Sequence, residues 1–298
     1  MTAAAATSTA PTQWRAGAII VGHALRETVR RRVLLVVAAL TLAFLVLYTL
    51  GAAFAFEEAG EFDQGFSSGL DDRTLTGATL EGLAMFATLF LGAILATFLT
   101  MGVVRGDAET GMLQPLIARP AGRSTVLLAR TAGAATVAAG YVLVVYAITV
   151  AITSVTGGWT PDNPIAAGLL LAVAVVIVTA ISLLASVCLA STAQGIAVLM
   201  IYGGGITAGL LGQIGDALGS ESLERVSVVT TWLLPFEAIY QSALYELTAD
   251  TGGLTGFALN LGPFGGGRSG GFGLLAWAVA YVAILLGLGV WGFRRRDI

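Results

Sequence analysis

The sequence predicts an all-α membrane protein with six transmembrane helices, an interfacial helix ahead of the first, and an external re-entrant or helical hairpin between spans five and six. Three observations carry this expectation: a strongly apolar composition, six hydrophobic stretches of spanning length, and arginines segregated to alternate connections. The 298 residues are 56% hydrophobic and 11% charged, with a mean hydropathy of +0.87. Soluble domains contain roughly 45–50% apolar and 25% charged residues. A chain this apolar has more hydrophobic surface than one aqueous core can bury.

A helix crosses a hydrocarbon core about 30 Å thick with about 20 apolar residues. Stretches of this kind run over residues 33–56, 82–104, 131–155, 165–190, 195–211 and 272–293. The fifth is short and interrupted by Gly203, Gly204 and Gly205, so its limits are the least defined. Together with a disordered cytoplasmic leader over residues 1–13, these spans make a single transmembrane domain over 14–298.

Orientation follows from arginine, because short cytoplasmic connections accumulate basic residues. With the amino terminus inside, Arg15, Arg26, Arg30, Arg31, Arg32, Arg105, Arg119, Arg123, Arg130, Arg294, Arg295 and Arg296 are cytoplasmic, and only Arg73, Arg225 and Arg268 are external. The acidic residues Glu57, Glu58, Glu61, Asp63, Asp71 and Asp72 gather in the first external connection. An even number of spans therefore keeps both termini in the cytoplasm, and the expected location is the plasma (cell inner) membrane. The net charge of −3 hides this segregation and does not suggest a nucleic-acid partner.

Ahead of span one, Trp14, Ala18, Val21, Leu25 and Val29 recur at helical spacing while Arg15, His23, Arg26 and Arg30 occupy other faces. That pattern predicts a helix lying along the inner leaflet, with His23 on its solvated face. Between spans five and six, residues 226–234 and 236–247 form two short apolar pieces broken at Pro235. A proline break between pieces too short to span predicts the hairpin. Pro263 and the Gly265–Gly267 run then lead into span six.

Several chemistries are excluded by composition. One histidine and one cysteine cannot build the common zinc sites or nucleophilic triads. Cys188, within an apolar stretch, is expected to be a small core residue. All basic residues are arginine, so no titrating lysine is available. Residues 262–269 have the spacing of a phosphate-binding loop with Arg268 in the lysine position, but no strand precedes them and they fall outside the cytoplasm. The spans contain almost no carboxylates, which argues against a proton- or sodium-coupled carrier. Glu81, Glu237 and Glu246 are expected at the interface and solvated, and the hydroxyls of Thr88, Thr97, Thr149, Thr153, Ser182 and Ser186 are expected to serve helix packing.

The most informative segment joins spans two and three, from Arg105 to Arg130. It is much longer than a minimal connection and alternates charge with Leu113, Leu116 and Ile117. A short amphipathic helix, a turn at Pro120 and a new helix capped by Ser124 account for the pattern. A plain arginine anchor without a partner accounts for it as well.

Glu109, Gly111, Met112-Leu113, Leu116, Pro120 and Arg123 resemble the acidic residue, Gly-Thr-Leu, leucines and Pro-x-x-Arg found at this place in permease subunits of ABC-2-type transporters. Met112 stands where threonine is usual, Ala121-Gly122 replace the common Val-Ser, and Arg130 replaces lysine. The six spans, the interfacial helix, the long external segment and the closing Phe293-Arg-Arg-Arg-Asp-Ile298 are similar too.

The resemblance implies a permease, acting as an exporter and energised by a separate ATPase. It implies that Leu113, Leu116 and Ile117 fill a groove on that ATPase, with Arg105, Asp107, Glu109, Gly111, Arg119, Pro120 and Arg123 around them. Trp14, Val21, Leu25 and Arg26 would hold the interfacial helix. The expected assembly contains two permease chains, as a homodimer or with a related chain, two ATPase subunits and surrounding lipid. ATP and magnesium belong to the ATPase, and no cofactor or enzymatic activity is expected of this chain. The competing reading is a non-transporting membrane anchor or regulatory subunit for a cytoplasmic enzyme or secretion complex.

Overall fold

A computed structural model describes residues 32–62, 71–101, 123–251 and 267–295. The expected leader, the interfacial helix with Trp14, Val21, Leu25 and Arg26, and most of the connection after span two lie outside the described residues. The described helices are α1 (Arg32–Phe62), α2 (Asp72–Thr100), α3 (Arg123–Gly157), α4 (Pro164–Cys188), α5 (Ser191–Leu218), α6 (Glu221–Leu233), α7 (Pro235–Tyr245) and α8 (Gly271–Arg294). Six contain segments long and apolar enough to cross a membrane: Leu35–Ala59, Asp72–Thr100, Leu127–Gly157, Pro164–Cys188, Ser191–Gly215 and Gly271–Arg294. The protein is an all-α membrane protein, and no strand occurs among the described residues.

Local chemistry sets the helix limits. Asp71 caps α2, its carboxylate accepting from the Thr74 amide and hydroxyl. Pro164 and Pro235 open α4 and α7, at the helical position where a missing N–H has no cost. Helix α3 begins at Arg123, and the side chain of Ser124, the expected cap, lies outside the description. Along the spans, threonine hydroxyls return to carbonyls one turn earlier, as Thr41 does to Val37 and Thr179 to Val175. Such bonds satisfy a polar side chain where no water is available.

Helices α2 and α4 form the centre. Helix α4 touches α2, α3, α5, α7 and α8, while α1 lies against α2 and α3. Met85 and Leu89 from α2, Val142 from α3, Leu171 and Val175 from α4, and Phe236 and Ile239 from α7 are fully enclosed in one cluster. Within lipid this core gains little from water exclusion, and close packing carries the association. Gly92 shows how close: a Cβ there would meet Val142 of α3 at 2.6 Å and Val175 of α4 at 3.2 Å. Leu35, Leu42, Leu47 and Phe54 on α1 and Phe272 and Val279 on α8 point outward, giving the apolar exterior that a bilayer requires.

The fifth span is one continuous helix, and its glycines have distinct functions. Gly205, Gly209 and Gly212 lie at four- and three-residue steps on one face of α5, opposite Phe236, Glu237 with Gln241, and Ser227. Gly203 and Gly204, off that face, have open space beside them. Gly219, at φ +63°, turns the chain after α5. Helix α6 then runs back along α5, the chain breaks at Pro235, and α7 returns between α4 and α5. Two short helices separated at Pro235 are thus present, and of the glycine run that blurred span five only Gly205 faces them, together with Gly209 and Gly212.

Cys188 is exposed at the end of α4, not enclosed as expected. It is the last residue of the helix, just past the buried Val187 that packs beneath α8.

Candidate functional site

The segment with the strongest sequence signal is flanked by two described helices. Helix α2 ends at Thr100, with the Met101 amide donating to the Thr97 carbonyl at 2.9 Å, and α3 starts at Arg123. Arg105, Asp107, Glu109, Gly111, Leu113, Leu116, Ile117, Arg119 and Pro120 lie between them, outside the described residues. Arg123 is the first residue of α3, and the geometry of its side chain lies outside the description. The connection joins the end of α2 to the start of α3.

Close to the connection, α2, α4 and α5 are joined by a buried polar brace. The Thr100 and Ser182 hydroxyls are 2.6 Å apart. The Gln194 amide donates to Thr100 Oγ1 at 3.1 Å, to the Ser182 carbonyl at 3.1 Å and to Ser182 Oγ at 3.2 Å. All three side chains are buried. In a medium without water each of these groups depends on the others.

A second brace lies toward the opposite end of α2. Glu81 is fully enclosed, and its carboxylate accepts from Tyr48 of α1 at 3.1 Å, Thr149 of α3 at 2.8 Å and Thr153 of α3 at 3.1 Å. The Tyr48 and Thr153 hydroxyls are themselves 2.6 Å apart. One carboxyl thus ties three spans, because a buried carboxylate is tolerated only with hydrogen-bond donors around it.

This arrangement corrects two expectations. Glu81 is not a solvated interfacial group: the second span starts at Asp72, well ahead of residue 82, because the charged Asp71-Asp72-Arg73 turn obscures an otherwise apolar helix. The sequence argument against ion coupling relied on carboxylates being nearly absent from the spans, and Glu81 is one enclosed within the second, which weakens it. Thr149 and Thr153 do join helices, but through a carboxylate that periodicity alone did not assign to them. Their spacing of one helical turn, aligned on one face of α3, was the available signal.

The hairpin supplies a third polar group. Glu237 is 4% exposed, again contrary to the solvated expectation, and receives the Gln241 amide. The pair sits against the bare backbone of Gly209. Glu237 lies outside the six spans, and burial pushes its carboxyl up to about 7, with the Gln241 amide opposing the shift. The next turn carries Tyr240, whose hydroxyl donates to the Gly82 carbonyl at 3.4 Å, adjacent to Glu81. Phe236 stacks on Tyr202 of α5 with ring centroids 5.6 Å apart. Glu246, at the end of α7, is half-buried.

Contacts through Glu81, Gly82 and Tyr240 therefore join α1, α2, α3 and α7. Residues 18–298 match a family model described as an ABC-2 family transporter protein. None of the curated proteins matches the chain.

Proposed function

Because the chain belongs to the ABC-2 transporter family, as a membrane component that works with an ABC ATPase, we propose that it is an export permease driven through the connection between α2 and α3. Two such chains, or one with a related chain, enclose a path across the plasma membrane with both termini in the cytoplasm. Two ATPase subunits bind and hydrolyse ATP with magnesium. Leu113, Leu116 and Ile117 seat in a groove on the ATPase, and Asp107, Glu109, Arg119 and Arg123 surround them with polar contacts. The interfacial helix from Trp14 to Arg26 acts as a lever on the inner leaflet.

The observation that carries this reading is the Glu81 brace. Glu81 is nineteen residues from Thr100, roughly 30 Å along α2 at the helical rise. Both helices entering the connection meet again at this carboxylate, so a pull on the connection tilts α2 and α3 together. Tyr240 then passes the tilt to α7, and the hairpin responds at the far end of the bundle. ATPase closure on one face is thereby converted into opening on the other.

Co-purification with the cognate ATPase tests the docking. Replacing Glu109 and Arg123 with alanine should reduce retained ATPase at least about tenfold, the equivalent of 1.4 kcal/mol. Undiminished association with coupled hydrolysis would refute it.

A further inference from the structure

Glu81 closes a triangle of oxygens with two hydroxyls. Its Oε2 lies 3.1 Å from Tyr48 Oη and 3.1 Å from Thr153 Oγ1, and those two are 2.6 Å apart. Each such contact is held by a hydrogen between its oxygens, and a hydroxyl has one to give. Three contacts therefore share two hydroxyl protons. If both hydroxyls donate to Oε2, the 2.6 Å contact brings two bare lone pairs together. If they donate in sequence, one hydroxyl oxygen faces the carboxylate with nothing between them. Thr149 serves the other oxygen, Oε1, at 2.8 Å and does not relieve the shortage.

The missing charge has the size of a proton. Glu81 is fully enclosed within the second span, and its hydrogen-bond partners are hydroxyls alone. The titratable groups facing it are Tyr48 from α1 and Tyr146 from α3, while Tyr240 of α7 reaches the neighbouring Gly82 carbonyl. Among the described residues, α4 and α5 present no charged group to it. A metal ion about 2.0–2.6 Å from each oxygen would hold them about 2.8 Å or more apart. Tyr48 and Thr153 are closer than that. A proton on Oε2 instead donates to Tyr48, Tyr48 to Thr153 and Thr153 back to Oε2, giving one hydrogen to each contact.

We propose that Glu81 is a proton-binding site, filled while α1, α2 and α3 are packed around it and emptied when they part. On release the Oε2–H bond breaks, its electron pair stays on the carboxylate, and an entering water takes the proton. Tyr146 supports the emptied state. It lies one turn before Thr149 on the same face of α3, within electrostatic reach of Glu81, and its enclosed hydroxyl has no hydrogen-bond partner among the described residues. That spare donor serves the carboxylate once the proton has left. The bound proton follows from the brace alone, whereas its release in each transport cycle rests on the ATPase-driven reading above.

Infrared spectra of the full chain in nanodiscs test the bound proton. At neutral pH the wild type should show the carbonyl stretch of a protonated carboxyl that Glu81→Gln lacks and Glu237→Gln keeps. Tyr48→Phe, which retains the carboxyl and removes the acceptor of its proton, should move that band to higher frequency. No band dependent on Glu81, a band unmoved in Tyr48→Phe, or loss of the band on adding sodium chloride would overturn the site, the last by showing a metal ion. The spectra are then repeated on the chain co-purified with its ATPase, where ATP should remove most of the Glu81 band. An unchanged band while hydrolysis proceeds would overturn proton release. That failure is distinct from loss of ATPase association, which refutes the docking and leaves the site standing.

Discussion

Tyr48 lies 3.1 Å from Glu81 and 2.6 Å from Thr153, so its hydroxyl joins α1 to a carboxylate shared by α2 and α3. Tyr48→Phe keeps the ring and deletes one donor, and should cost about 1 kcal/mol of stability, since Thr153 still serves the same oxygen. Thermal unfolding of the purified protein measures this, and an unchanged midpoint would contradict the brace. Glu237 gives a pH dependence of definite sign. Its folded value of about 7 exceeds the ordinary 4.5, so the folded state holds the proton more tightly. Its contribution is fully present below pH 4.5 and is lost as pH rises through 7. Relative to Glu237→Gln, the wild-type unfolding midpoint should fall between about pH 5 and pH 8. Parallel profiles would rule out a buried carboxyl at this site. At this scale the sequence was least informative. It displayed Thr149 and Thr153 one turn apart but could not bring Glu81 to them, because their pairing spans 68 and 72 residues.

Among the elements, α5 depends most on single atoms. Gly209 allows the Glu237–Gln241 pair to rest on backbone, and Gly205 does the same for Phe236. A Cβ at Gly204 would meet nothing within 4 Å. Gly204→Ala should therefore be neutral, or stabilising by up to about 1 kcal/mol from helix propensity. Gly209→Ala should destabilise by about 1–3 kcal/mol through overpacking, despite the same gain in propensity. Hydrogen exchange of the α7 amides reads the difference, and equal exchange in the two variants would show that the hairpin does not dock on this face. The sequence displayed the glycines and the Pro235 break as separate irregularities. Their relation is tertiary: a helix face without side chains is legible only once the residues that fill it are known.

For the whole molecule, the six spans were legible because length and hydropathy are local properties that a bilayer imposes on each helix separately. The start of span two was misplaced for the same reason, since a charged first turn lowers local hydropathy while the helix continues through it. Arginine asymmetry predicts that the α4 end carrying Cys188 faces the cytoplasm and the hairpin carrying Arg225 faces outward. In sealed right-side-out vesicles, an impermeant maleimide should label Arg225→Cys in a Cys188→Ser background and spare native Cys188. Opening the vesicles should expose Cys188, and the reverse pattern would invert the topology. The family match over residues 18–298 agrees with the sequence resemblance, and the ATPase contact proposed above would fall on the α2–α3 connection. Photocrosslinking is the most direct measurement of that contact. A photoreactive amino acid at Leu116 should capture the cognate ATPase, and the same group at Val229 of α6 should not. Failure of Leu116 to capture it, or equal capture from both positions, would contradict a permease driven through this connection.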